Sequence, residues 1–186
     1  LLGDDPSVVP IYLTGRGLLM ARDIELADGQ LRVNTDLGEV QMPLVDVRGI
    51  RLSRESGQAE WEQLLAEPSK EEDRLLVTTS RGPRVVSGLL EGFDAEGASL
   101  LFEDQVRRVG RDKILAVVPA ALGGDVKPRY YVHLIDRWIA IADRLSLSDG
   151  QWVLGWKQSQ TEFPAEMVNM ISVQSDRVLY LSDLEP

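Results

Sequence analysis

The 186-residue sequence contains no cysteine and a single histidine, His133. Without cysteine the chain cannot form disulfides, use a thiol nucleophile or build a cysteine-based zinc site. His133 has no nucleophile or ligand cluster near it in the sequence, so we interpret it as an ordinary strand residue. The acidic stretches at 4–5 and 71–73 lack the ligand spacing of a calcium loop and are interpreted as solvated charge. No G-x-S-x-G, P-loop, H-E-x-x-H or dinucleotide-binding motif occurs. We therefore expect no enzyme, no cofactor and no metal site.

Long apolar runs and an excess of basic residues are also missing. The longest apolar stretches, at 13–20 and 131–142, are interrupted by charge or glycine, whereas a membrane-spanning helix needs about 20 apolar residues. Acidic residues outnumber basic ones by 30 to 20, which gives a formal net charge of −10. Because nucleic-acid binding depends on cationic neutralisation of phosphate, this balance argues against a nucleic-acid partner. We likewise expect no insertion into a membrane.

Turn residues and apolar residues recur at matching intervals three times along the chain. The turn glycines are Gly29, Gly97 and Gly150. A proline or glycine follows 14, 13 and 14 residues later, at Pro43, Gly110 and Pro164. A closing apolar residue follows 21, 20 and 21 residues after the glycine, at Ile50, Val117 and Ile171. These coincidences predict a threefold internal repeat.

Each copy has the pattern of short antiparallel strands joined by hairpins. Apolar and polar residues alternate in short runs, separated by turn signals such as Asp28-Gly29 and Asp149-Gly150. Asp and Gly accept the positive φ that tight hairpins require, which explains these pairs without a ligand. We then expect one 3₁₀ turn (PLVD, GRDK, PAEM) and a short fifth strand (VRGIRL, ILAVV, VNMISV). This order predicts an all-β fold of three consecutive small five-stranded barrels of the Sm-like or SH3-like kind.

One short helix is predicted between the first and second barrels. Residues 57–66 are mostly good helix formers, Ser56 has an N-cap side chain, and Pro68 provides a stop. Trp61, Leu64 and Leu65 fall on one face, so we expect the helix to lie across an open barrel end. A Pro- and Gly-rich linker follows the second barrel. The predicted regions are barrel 1 at 1–53, the helix and barrel 2 at 54–123, and the linker, barrel 3 and a junction strand at 124–186.

One dipeptide suggests an RNA-binding function. Arg48-Gly49 resembles the Arg-Gly that RNA-binding Sm proteins carry in the fifth strand. The corresponding positions of the other copies are Leu115-Ala116 and Asn169-Met170. The basic and stacking residues that RNA recognition needs are missing, so this function is rejected.

Aromatic residues concentrate in the third copy, which holds three of the four tryptophans. Exposed rings often stack on sugar faces, and the candidate glycan-binding residues are Tyr130, Trp138, Trp152 and Trp156. Trp152 and Trp156 lie four residues apart, on one face of a predicted strand. In a small barrel one such face forms the core, so we favour the interpretation that these rings fill it.

Several short segments resemble a family. They are DRLLV at 73–77, LEG followed by Asp at 90–94, and above all the ending VLYLSDLEP at 178–186. They are similar to the region that precedes the NPCBM carbohydrate-binding module in large bacterial envelope proteins. The module itself would follow Pro186, so the resemblance transfers no binding residue to this chain. It implies small β-domains, export to the periplasm or cell envelope, and an accessory role.

From the residues and the resemblance together we expect a non-catalytic envelope scaffold. Such a chain would present a downstream carbohydrate-binding module, or assemble with a protein partner or with copies of itself through exposed strand edges. The alternative is direct glycan binding by the aromatic residues of the third copy. A hydrolase would need a catalytic carboxylate pair, which spacing in the sequence alone does not reveal.

Overall fold

A computed structural model describes residues 8–36, 38–54, 56–121, 127–135, 138–156 and 159–174. The described residues form antiparallel strands and one α-helix, α1 (Gln58–Ala66), so the all-β prediction is confirmed. The expected junction strand at 177–182, with the ending VLYLSDLEP, and the linker residues 122–126 lie outside the described residues. The first strands are β1 (Val9–Leu13), β2 (Leu18–Ala21), β3 (Asp23–Ala27), β4 (Gln30–Thr35), β5 (Gly38–Pro43), β6 (Val47–Arg51), β7 (Asp73–Thr79), β8 (Gly82–Phe93), β9 (Gly97–Phe102), β10 (Gln105–Gly110) and β11 (Ile114–Val118). The remaining strands are β12 (Tyr130–Leu134), β13 (Ile139–Ala142), β14 (Arg144–Ser148), β15 (Gln151–Trp156), β16 (Ser159–Pro164) and β17 (Val168–Val173).

The chain divides into two compact units, Leu1–Val126 and Lys127–Pro186. In the first unit the strands run in the order β2-β1-β6-β11-β7-β8-β3-β4-β5, with β9 beside β8 and β10 beside β9. In the second unit, β17, β12 and β13 are neighbours, and β14, β15 and β16 form a separate sheet. Among the described residues neither unit contains a closed barrel. The expected boundary at residue 53 falls inside the first unit, and the one near 124 falls close to the start of the second.

The Asp-Gly pairs occupy tight hairpin turns. Asp28 and Gly29 have φ values of 52° and 71°, and Asp149 and Gly150 have 51° and 77°. These left-handed conformations suit glycine and are tolerated by aspartate. The turn role predicted for both pairs is therefore confirmed.

The turn after the fourth strand of each predicted copy is a 3₁₀ helix, as expected. The three helices are Leu44–Asp46, Arg111–Lys113 and Ala165–Met167. The first N–H of each donates a 2.9 Å hydrogen bond to the preceding hairpin, where the acceptors are the carbonyls of Gly29, Glu96 and Gly150. Proline fits before this helix because it has no N–H to contribute to the ladder and its φ is already near the required value. The fifth strands β6, β11 and β17 follow directly.

Helix α1 begins one residue later than predicted and has a different cap. The N-cap is Gly57, with φ 72° and ψ 31°, and no side chain caps the helix, so the Ser56 cap was wrong. A left-handed backbone turn redirects the chain into the helix, and glycine accepts that turn without a steric penalty. The predicted apolar face is present: Trp61 and Leu64 are buried against Leu76, Leu115, Ala116 and Val118, and Leu65 packs beside them.

Candidate interaction edges and the aromatic cluster

Strands β6 and β11 pair antiparallel through the middle of the first unit. Ile50 faces Val117, and Arg51 faces Ala116. Leu52 N–H donates to the carbonyl of Leu115 at 2.9 Å. Ile50 and Val117 are 1% and 0% exposed, so the paired strands bury both side chains completely. We call this pairing the β6–β11 seam.

A second strand contact joins the same two parts of the first unit. Leu26 of β3 faces Phe93 of β8. The separation is 67 positions in this pair, from 26 to 93, and also in the seam, from 50 to 117. Both contacts therefore join residues at equivalent positions of the two halves, which are offset by 67 positions in the sequence.

Helix α1 covers one face of the seam and orders a buried arginine. Arg51 donates to the carbonyls of Ser56 at 2.6 Å and Gly57 at 3.3 Å. Its guanidinium carbon lies 5.5 Å from the centre of the Trp61 ring. Desolvation lowers the pKa of Arg51, while Tyr12 and Glu60 act in the opposite direction. A buried guanidinium needs such partners, because leaving it unpaired would be costly.

Arg48 and Gly49 serve the packing of the helix. Gly49 lies under the helix, and Arg48 donates to the carbonyl of Leu65 at 3.2 Å. Both residues of the Arg-Gly pair therefore contribute to holding α1 against β6.

The interpretation of Asp73 as solvated charge was wrong. Asp73 is buried, and its two carboxylate oxygens accept the N–H groups of Leu90 at 2.7 Å and Ala120 at 2.8 Å. These partners lie 17 and 47 positions away, so the carboxylate ties β7 to β8 and to the segment after β11. Hydrogen bonds to a charged acceptor are stronger than those between neutral groups.

Strand β17 ends its sheet on the side away from β12, within the residues that the structure describes. Met170 and Val173 are 53% and 60% exposed, although the strand is mainly apolar. Gln174 N–H donates to Arg129 O at 2.8 Å. Because backbone N–H groups alternate in direction along a strand, the N–H groups of Ile171 and Val173 point to the open side. An apolar strand with outward-pointing backbone donors is a template for another strand.

Strand β10 ends its branch of the first unit in a similar way, again within the described residues. Leu89, Leu101 and Val106 face one another in a row across β8, β9 and β10. Leu89 and Val106 are exposed. This row gives β10 exposed apolar neighbours. The edge of β10 is therefore a second candidate, beside β17, for pairing with another strand.

The four aromatic candidates do not form one exposed surface. Trp138 is 2% exposed, so neither face of its ring is available to a sugar. Tyr130, Trp152 and Trp156 are half-buried, and Trp152 pairs across the sheet with Phe163. The guanidinium carbon of Arg129 lies 5.4 Å from the centre of the Tyr130 ring. Trp138 therefore belongs to the core, and the other three rings keep part of their surface accessible.

His133 is half-buried on β12, between the buried residues Val132 and Leu134. Its Nε2 lies 3.4 Å from the hydroxyl of Ser172 on β17. Among the described residues no group of three or more His, Cys, Asp or Glu side chains is arranged to hold a metal ion. The strand-residue interpretation of His133 agrees with this position.

Asp94 and Arg108 stabilise the turn between β8 and β9. Asp94 accepts N–H groups of Glu96 and Gly97 at 2.8 and 3.0 Å, and Arg108 binds both of its oxygens at 2.9 Å. The Glu96 N–H is the main cause of a lowered pKa at Asp94, with help from Arg108 and Gly97. Nearby, Arg111 lies over the Phe93 ring, and desolvation lowers its pKa although Asp23 opposes the change.

No family model, curated protein or solved structure matches this chain. None of the helices in the described part of the chain has the length and apolar character required to cross a bilayer.

Proposed function

We propose that this chain is a non-catalytic scaffold that binds polypeptides through the open edges of its strands. The observation that carries the proposal is the β6–β11 seam, in which two edges of this kind already pair and bury their central residues. Backbone hydrogen bonding along an edge needs no motif, which fits a sequence without catalytic signatures.

We further propose that the chain consists of three copies of one Sm-like or SH3-like five-stranded element. The recurring 3₁₀ helix supports this, together with the equivalent neighbours of β6, β11 and β17. Each of these strands pairs with the first strand of its own copy: Ile50 faces Ile11, Val117 faces Leu75, and Ile171 faces Val132. The first two copies would then be related by a local twofold axis, because residues on such an axis face their own equivalents.

The cell envelope is the location that we propose, on the resemblance to regions that precede NPCBM modules. In that setting the self-assembled chains would present a downstream carbohydrate-binding module. The net charge of −10 supports this role, because it limits non-specific association while leaving backbone edges usable.

Light scattering on a sizing column, at low and high salt, tests the scaffold. We expect a discrete oligomer that survives high salt, because strand pairing and apolar contact are not screened as surface charges are. A particle of 20.7 kDa at every concentration would contradict self-assembly.

Direct glycan binding is the second candidate, favoured only by the accessible surface of Tyr130, Trp152 and Trp156. A polysaccharide that binds there should shift the tryptophan emission of the wild-type chain. The shift should disappear in Trp152→Phe and persist in Trp138→Phe, since Trp138 is buried. An unchanged spectrum across a panel of envelope polysaccharides would remove this function.

A further inference from the structure

We infer that β17 pairs antiparallel with β17 of a second copy of this chain, with Ile171 facing Ile171 across a twofold axis. This inference rests on the proposed function, because it names the edge and the partner through which the scaffold assembles.

The seam inside the first unit supplies the template. Residues 44–46 and 111–113 form the 3₁₀ helices that precede β6 and β11, and Ile50 and Val117 each lie six positions after the helix start. Ile171 lies six positions after Ala165, where the third such helix starts. In the seam, Ile50 and Val117 face each other. The same pairing applied to two copies of β17 places Ile171 opposite Ile171.

The backbone of β17 has the polarity that this pairing needs. In the seam, Leu52 N–H donates to β11, so the N–H of Ile50, two residues earlier, points the same way. Gln174, directly after β17, donates its N–H to the carbonyl of Arg129, directly before β12, so the N–H of Ile171, three residues earlier, points to the open side. Ile171 therefore presents its N–H and C=O to the approaching strand as Ile50 does.

Among the described residues, β17 is less covered than its counterparts β6 and β11. Ile50 and Val117 are fully buried, whereas Ile171 is half-buried although it faces the buried residue Val132 on β12 in the same way. Exposed Met170 and Val173 flank it. A second β17 strand would cover these side chains, and burial of apolar area contributes roughly 25 cal/mol per Å².

A second copy is favoured over an unrelated strand because the template is self-complementary. A twofold contact needs one surface that fits itself, and the seam joins two strands of corresponding position in this way. Both copies carry a net charge of −10, so their mutual repulsion weakens as salt screens it. Association through β17 should therefore be equal or tighter at high salt.

Disulfide trapping tests the register, and the absence of native cysteine makes the background clean. The seam pair Arg51–Ala116 corresponds to Ser172 facing Met170 of the second copy. Mixing Met170→Cys with Ser172→Cys should give a mixed disulfide under mild oxidation. Val173→Cys is the exposed control, because its two copies would lie about 13 Å apart, beyond the limit of about 7 Å between Cα atoms. Equal cross-linking in the control, or none in the mixture, overturns the register.

Edge-blocking variants test the surface independently of any disulfide. Lysine on an edge strand opposes pairing, so Met170→Lys with Val173→Lys should weaken the dimer by about tenfold or more. Val106→Lys on β10 and Leu147→Lys on β14 each place one lysine, against two in the β17 variant, on an exposed site of another end strand. Circular dichroism and thermal melting must match the wild type in all variants.

The outcomes separate this inference from the proposed function. A dimer lost only in the β17 variant supports both. An oligomer lost in Val106→Lys or Leu147→Lys, and kept in the β17 variant, overturns the β17 pairing and leaves the scaffold standing. A wild-type chain that stays monomeric overturns the β17 pairing and contradicts self-assembly of the scaffold.

Discussion

Gly49 lies directly beneath the indole of Trp61. A Cβ atom built on Gly49 would come within 2.6 Å of the Trp61 Cη2 atom and 3.1 Å of Leu65 Cδ2. Because Gly49 has no side chain, α1 can pack closely against β6 at the seam. This contact holds the helix on the first unit.

Gly49→Ala should lower the free energy of unfolding by about 1–3 kcal/mol, since the added methyl group would force the buried indole of Trp61 to shift. Gly92→Ala is the matched strand control, because its nearest new contact is an ordinary 3.5 Å from Leu26 O. Urea unfolding of both variants measures the difference. Equal stability of the two would show that α1 is loosely held.

Asp73→Asn should destabilise the first unit by about 2 kcal/mol, because one amide oxygen cannot replace two carboxylate oxygens that accept from Leu90 and Ala120. Asp104→Asn is the control, since Asp104 is exposed in a left-handed turn that asparagine also adopts. Chemical unfolding is again the measurement. A neutral Asp73→Asn would contradict the buried acceptor role.

Gly97→Ala should be among the most damaging single changes, at about 3 kcal/mol or more. A Cβ atom there would lie 2.0 Å from the carbonyl oxygen of Val109, with φ at +150°. Gly82→Ala shares a positive φ of +100° but has nothing within 4 Å, so it isolates backbone strain from collision. If the two variants melt at the same temperature, the close approach of β9 and β10 at Gly97 is wrong.

Asp94 should contribute to the loss of folding stability at acidic pH. Its folded pKa is lowered, so its contribution is present above the ordinary aspartate pKa and is lost as pH falls through the folded value. In Asp94→Asn this loss on acidification disappears, and the stability curve becomes flatter below about pH 4. Thermal melts at a series of pH values measure it. An identical loss of stability at acidic pH in both proteins would exclude the turn carboxylate as a source.

The local elements were predictable because their causes are local. Pro43 and Pro164 restrict their own φ, and Asp28-Gly29 sets its own turn, so the 3₁₀ helices and hairpins follow from short stretches of sequence. Asp73 was misinterpreted because it follows two other acidic residues, while its partners lie far along the chain.

The pairing of β6 with β11 and the N-cap of α1 could not be predicted from the sequence. Ile50 and Val117 were each expected in a fifth strand, but no local pattern states that two such strands pair with each other. The burial of Trp138 was likewise open between core and surface, because alternation along a strand does not say which face is covered. Gly57 was passed over because Ser56 has the usual capping side chain.

Amide hydrogen exchange of Ile171 and Val173, resolved by NMR and repeated over a range of protein concentrations, tests the central claim most directly. We expect both outward-pointing amides to exchange rapidly in dilute protein and to become protected as the protein concentration rises. Fast exchange at every concentration would contradict the pairing. Protection that does not depend on concentration would contradict it too, by showing that a segment of the same chain covers the edge.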